Sequence, residues 1–111
     1  MSELPLHIGL SLLIDSESMA SDLETEAVNL NGVGSYSIQA IWSAGTSPVG
    51  TLTLKGSNDG LTFSSIYSTP VAGNTGEILV NIEKPAYAHF KVTYVATGGT
   101  GTLNVYANYK R

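Results

Sequence analysis

The chain has 111 residues, enough for one domain with a buried core and too few for two. Hydrophobic residues make up 42% and charged residues 13%, which excludes a disordered chain, and the absence of cysteine excludes disulfides and thiolate metal sites. The net charge of −4 is uneven: residues 1–26 hold Glu3, Asp15, Glu17, Asp22, Glu24 and Glu26 with no Lys or Arg, and no basic patch suited to nucleic acid follows.

Twelve glycines among many Ser, Thr and Val residues point to short strands and tight turns, with little helix. The longest apolar run, Leu12 to Ile14 with Leu10 nearby, is far short of the ~20 residues of a membrane-spanning helix, so no membrane partner is expected. Met1-Ser2-Glu3 lacks a basic region and a continuous apolar stretch behind it, which argues against a signal peptide and for use without export.

In chain order, Leu4, Leu6, Ile8, Leu10, Leu12 and Ile14 occupy every second position, the period of a strand with one buried face. Pro5 suits a strand end or edge, and Gly9 suits a bulge or bend. Residues 15–26 are acidic and rich in small residues, which reads as a loop or flexible connection, although Ser21 and Glu24 could also cap a helical turn. This divides the chain into an N-terminal strand and acidic loop over 1–26 and a sandwich domain over 27–111.

Ala27 to Leu30 reads as a short strand before Asn31-Gly32, and Ser35 to Ser43 as another, with Tyr36, Ile38, Ala40 and Trp42 on one face. Val49 to Lys55 follows, then the turn Ser57, Asn58, Asp59 and Gly60, whose Asp-Gly pair is a hairpin signal, then Leu61 to Ser68. Ile78 to Ile82 and His89 to Ala96 alternate in the same way, Gly98 to Gly101 turns the chain, and Thr102 to Tyr109 closes it. About seven or eight antiparallel strands at this spacing make an all-β sandwich or jelly roll with an N-terminal extended strand.

The sequence offers no catalytic constellation. His7 and His89 are the only histidines, His89 is out of phase with Phe90 and so expected towards solvent, and the carboxylates form no pair. Asn58 and Asp59 offer oxygens that could hold calcium but are equally those of an unliganded turn, and the Gly98 to Gly101 stretch has neither the helix nor the Lys of a phosphate loop. No cofactor and no enzymatic activity are expected. Trp42, Tyr87 and Tyr106 are flat rings of the kind that stack on sugars; Trp42 shares the core face, whereas Tyr87, after Pro85, and Tyr106, out of phase with Leu103, Val105 and Ala107, are expected outside.

Tyr36-Ser-Ile-Gln-Ala-Ile-Trp42, Gly50-Thr-Leu-Thr-Leu-Lys-Gly-Ser-Asn-Asp-Gly60 with Phe63, Phe90-Lys-Val-Thr-Tyr94 and Gly101-Thr-Leu-Asn-Val105 together resemble small virion proteins of tailed bacteriophages with a discoidin-like sandwich. The resemblance spans residues 27–109. It implies a structural protein of the virion, assembled in the host cytoplasm: a capsid decoration or cement protein, or alternatively a neck, tail or fibre component. The implied partners are further copies of the chain, in a homo-oligomer such as a trimer, and the major capsid or other virion proteins. Leu4, Leu6, Ile8, Leu10 and Leu12 are the expected interface residues, able to pair with a neighbouring subunit or to add a strand to their own sheet, together with Tyr87 and Tyr106. The rival expectation is a carbohydrate-binding host-adhesion module.

Overall fold

A computed structural model describes residues 9–111; Leu4, Leu6, His7 and Ile8 lie outside them. Among the described residues every regular element is a strand: β1 (Gly9–Ser18), β2 (Leu23–Glu24), β3 (Val28–Asn29), β4 (Ser35–Ser57), β5 (Ser64–Val71), β6 (Gly76–Glu83) and β7 (His89–Lys110).

Strict alternation writes the two long strands. Tyr36, Ile38, Ala40 and Trp42 of β4 are buried while Ser37, Gln39 and Ile41 between them are not, and Leu52 and Leu54 continue the buried row. In β7, Phe90, Val92 and Tyr94, then Leu103, Val105, Ala107 and Tyr109, form the buried rows, with Thr93 buried as well between Val92 and Tyr94. The two strands are antiparallel and paired from Ser35 opposite Lys110 to Ser57 opposite His89.

Midway, the register shifts between Ser43 and Thr46, between Thr46 and Val49, and again at Gly50, and the two-stranded ribbon folds back on itself. Its two halves become the central strands of two facing sheets. The first sheet has the order β1-β7-β4-β6; the second places β5 beside β4, with β2 and β3 along the far edge of β7. The buried rows meet between the sheets, where the Tyr36 ring stacks on Phe90 with centroids 4.5 Å apart and Phe90 packs at 6.3 Å against Tyr109. The all-β antiparallel sandwich expected from the sequence is therefore present.

The sequence expectation of separate strands over 35–43 and 49–55, and over 89–96 and 102–109, is corrected: each pair is one continuous bent strand. Gly98 to Gly101 is accordingly a corner within β7 and not a hairpin. Ala44 and Ser47 carry positive φ at the facing corner of β4, at 52° and 49°. Gly99, at φ 73°, passes so close that a Cβ there would lie 2.0 Å from the Ser47 carbonyl oxygen. The strand expected over 61–68 begins later, at Ser64, and runs to Val71.

β1 pairs with the second half of β7, from Gly9 opposite Tyr109 to Ser18 opposite Thr102, and forms the edge of the first sheet. A bulge between Leu12 and Ile14 reverses its phase, so Ile14 is buried while Leu10 and Leu12 are 72% and 47% exposed. The expected single buried face through Leu10, Leu12 and Ile14 is thus divided between two sides of the sheet. Asp15 to Ser18, expected in a flexible connection, continue the strand.

The residues beyond Ser18 are zipped onto the first half of β7. Met19 N–H donates to the Gly101 carbonyl (2.8 Å), the Asp22 carboxylate accepts from Ala96 N–H (2.8 Å), and Thr25 N–H donates to the Val92 carbonyl (2.9 Å). The Thr25 hydroxyl oxygen accepts from Val92 N–H (3.0 Å), and Leu30 N–H donates to the Ala88 carbonyl (2.8 Å). Met19, Thr25 and Leu30 are buried, and Ser21 to Glu24 contain strand β2 where a helical turn had been an option.

The corner generates a contrast that urea denaturation checks. Gly99→Ala is expected to lower stability by about 2–3 kcal/mol through left-handed strain and collision with the Ser47 backbone. At Gly98 a Cβ meets nothing within 4 Å, and Gly98→Ala is expected to change stability by less than about 0.5 kcal/mol.

Candidate functional site

The candidate site is the outer face of the first sheet, where alternation exports every residue that the core rejects. Register aligns these residues in rows across the four strands. Leu12 lies opposite Tyr106, Tyr106 opposite Gln39, and Gln39 opposite Leu79. Leu79 is 69% exposed and Tyr106 is half-buried between its neighbours. Leu10, one row along, is opposite Asn108, and Ile41, one row the other way, lies between Asn104 and Glu77. An apolar row, flanked by Leu10 and Ile41, thus crosses a face that also presents Gln39, Glu77, Asn104 and Asn108.

Beside that row lies a trough. Ser35 and Ser37 of β4 are short side chains in the middle of the sheet, and the longer Asn81 and Glu83 of β6 and Asn108 and Lys110 of β7 stand on either side of them. Asn81 Nδ2 donates to Glu83 Oε2 at 3.4 Å. The trough presents amide, hydroxyl, carboxylate and ammonium groups with the Tyr106 ring one row away, a combination able to hold a polar ligand by hydrogen bonds.

The predicted turn residues do different work. Asp59 accepts at one carboxylate oxygen from Leu61 N–H (2.8 Å), Thr62 N–H (2.8 Å) and the Ser57 hydroxyl (2.9 Å), and Gly60 N–H donates to the Ser57 hydroxyl oxygen (2.9 Å). The backbone N–H groups of Thr62 and Leu61, then the Ser57 hydroxyl, lower the Asp59 pKa to about 2. Ala88 N–H donates to both the Ser57 carbonyl (3.0 Å) and Asn58 Oδ1 (3.2 Å), which ties this turn to the start of β7. Strand β4 ends at Ser57 and β5 starts at Ser64, so the Asp-Gly pair sits in a longer self-capped loop instead of a two-residue hairpin. Among the described residues no group of three or more His, Asp or Glu side chains is placed to hold a metal ion.

Tyr87, expected on an exposed loop, is half-buried against the core, and its hydroxyl lies 2.7 Å from that of Tyr36. Burial and this hydrogen bond push the Tyr36 phenol well above its ordinary pKa. His89, expected towards solvent, is half-buried, and its Nδ1 is shielded without a hydrogen-bond partner among the described residues. Trp42 is buried, 5% exposed. Of the three rings considered for stacking, Tyr106 alone lies on an outer face.

The apolar row and the trough were not read from the sequence, because each is assembled by register from strands far apart in the chain. A signal was present in Gln39, Leu79 and Asn81, which alternate out of phase with the core rows of β4 and β6, but the register that aligns them with Tyr106, Asn108 and Leu12 was not.

No protein-family model matches the chain, and no curated protein does. Solved structures do. The PBSX exported protein XepA superposes with a TM-score of 0.70 at 11% identity over 90% of this chain, which spans 36% of XepA. The SPBc2 prophage-derived protein YomS superposes with a TM-score of 0.59 at 12% identity, covering 95% of this chain and 98% of YomS. A family 6 carbohydrate-binding module superposes with a TM-score of 0.52 at 9% identity, covering 95% of each chain. The shared feature is the fold, a β-sandwich found in prophage proteins and in carbohydrate-binding modules.

The Asp59 cap predicts an acid limb in the stability curve. Its folded pKa of about 2 lies below the ordinary carboxylate value of about 3.9, so its contribution is complete above pH ~4 and is lost as pH falls towards 2. Thermal melts between pH 5 and 2 are expected to show a smaller decline for Asp59→Asn than for the parent chain, from a lower starting stability.

Proposed function

We propose that this chain is a non-catalytic structural protein of a bacteriophage particle, a capsid decoration or cement protein that works through buried contact area. The observation that carries the reading is the Leu12–Tyr106–Leu79 row. Leu10, Leu12 and Leu79 are large apolar side chains set on the outside of a well-packed sheet, where they contribute nothing to the core. Such a row stabilises an interface and is a liability in a chain that stays alone. The fold shared with XepA and YomS supports a phage setting. On this reading the protein resides on the virion, and the outer face of the first sheet contacts a capsid, neck or tail protein.

The trough beside Tyr106 favours a second reading, a glycan-binding module of the particle, because its amide and hydroxyl groups suit sugar hydroxyls and Tyr106 offers a ring for stacking. Titration calorimetry against an oligosaccharide panel separates the two: saturable binding that is abolished by both Asn81→Ala and Tyr106→Ala would move the function to glycan recognition.

The leading reading is tested on virions purified from lysates of the host that carries the gene. The chain is expected in those particles at a fixed copy number, and Leu12→Asp combined with Leu79→Asp is expected to reduce its incorporation at least tenfold while leaving the melting curve of the isolated chain within a few degrees. Absence of the parent chain from purified particles overturns the proposal.

A further inference from the structure

The two flanks of the sandwich are closed in different ways. On the β1 side, residues 19–30 run along the edge of β7 and drive Met19, Thr25 and Leu30 into the gap between the sheets, where each is 5% exposed or less. On the opposite side nothing comparable is inserted among the described residues. There, among the described residues, β5 and β6 each pair with β4 alone, so no other described strand lies along their second edges.

The side chains behind those edges show the consequence. Ile78, Val80 and Ile82 point inward from β6 but are only half-buried, and Ile66 and Tyr67 of β5 are 39% and 41% exposed. A shallow cleft lies between, floored by Ile38, Ala40, Leu52 and Leu54 and carrying no polar side chain other than Thr53 and the Tyr67 hydroxyl. An apolar row bordered by an open strand edge is the arrangement that accepts an added strand.

We propose that this flank receives residues 4–8 of a second copy of the chain as an extended strand along β6, with Leu4, Leu6 and Ile8 turned into the cleft. The occupant follows from pattern and from where the described chain starts. Leu4, Leu6 and Ile8 alternate with the period of a strand, and five residues span about 17 Å, the length of β6 from Ile78 to Ile82. Gly9 sits opposite Tyr109 on β1, the edge strand separated from β6 by β7 and β4, so one copy carries the leader at one edge and the acceptor at the other. Contact between copies is then head-to-tail, and a closed ring results where the rotation between neighbours permits. β6 is preferred over β5 because β5 contains Pro70, which has no N–H to donate, and a bulge opposite Leu54 and Lys55.

This assembly is independent of what the outer face of the first sheet binds. Loss of particle incorporation leaves it standing, and its own failure leaves the outer-face reading standing.

The chain has no cysteine, so introduced thiols report a single contact. Leu6→Cys and Val80→Cys single variants, mixed and mildly oxidised, are expected to yield a disulfide-linked pair containing one of each. Light scattering is expected to give an oligomer for the parent chain and a mass of one chain, 11.6 kDa, for Leu6→Asp. A Leu6→Cys, Val80→Cys double variant that links only within one chain overturns the second copy as donor. Absence of any link in the mixture overturns the flank as acceptor, whatever the mass.

Discussion

The pairing of β4 against β7, carried through three register shifts from one sheet into the other, is the interaction on which the rest of this structure depends. A sandwich built of separate sheets is held by side chains across the gap; this one is also held by the backbone of the two strands that turn its corner. The corner must therefore bend both strands at the same place. That requirement explains the positive φ angles at Ala44 and Ser47 facing Gly99, and the register shifts that dissipate the pleat mismatch between Ser43 and Gly50. β7 is central to both sheets, with β4 on one side and β1 followed by residues 19–30 on the other.

Because two strands carry the core, the other strands are left with faces and edges to spare. The outer face of the first sheet carries an apolar row and a polar trough side by side, which is why two kinds of partner compete as explanations for it. The flank between β5 and β6 differs in character, since it exposes residues that belong to the core row itself. One surface therefore reads as a contact made by a finished sheet and the other as a gap in the packing.

Much of the fold was legible in the sequence. Rows such as Tyr36, Ile38, Ala40, Trp42 and Leu103, Val105, Ala107 announced strands and the faces they bury, since period-2 alternation needs no knowledge of partners. The corner was not legible, because Gly98 to Gly101 has the composition of a hairpin and becomes a bend only through the continued pairing of Thr46 with Thr100 and Val49 with Gly98. The bulge at Leu13 was hidden for a related reason: Leu10, Leu12 and Ile14 keep the every-second-residue period in the sequence, Leu13 between them marks only an apolar run, and the phase reversal exists only relative to Tyr106 and Val105. Residues 19–26 misled through polarity. Asp22 and Thr25 read as loop residues, yet their oxygens accept the edge N–H groups of Ala96 and Val92 in place of a strand's carbonyls.

The placement of Gly9 directly across from Tyr109 sets how the molecule bears a load. Tension applied between these two neighbouring points pulls across the β1–β7 ladder, so the hydrogen-bonded pairs are stressed one after another, as in opening a zipper. Tension applied between the corner and the far ends of β4 and β7 instead runs along both long strands, and every pair in the ribbon shares it. The fold is thus mechanically anisotropic: compliant when Gly9 and Tyr109 are drawn apart, stiff along the length of its two bent strands.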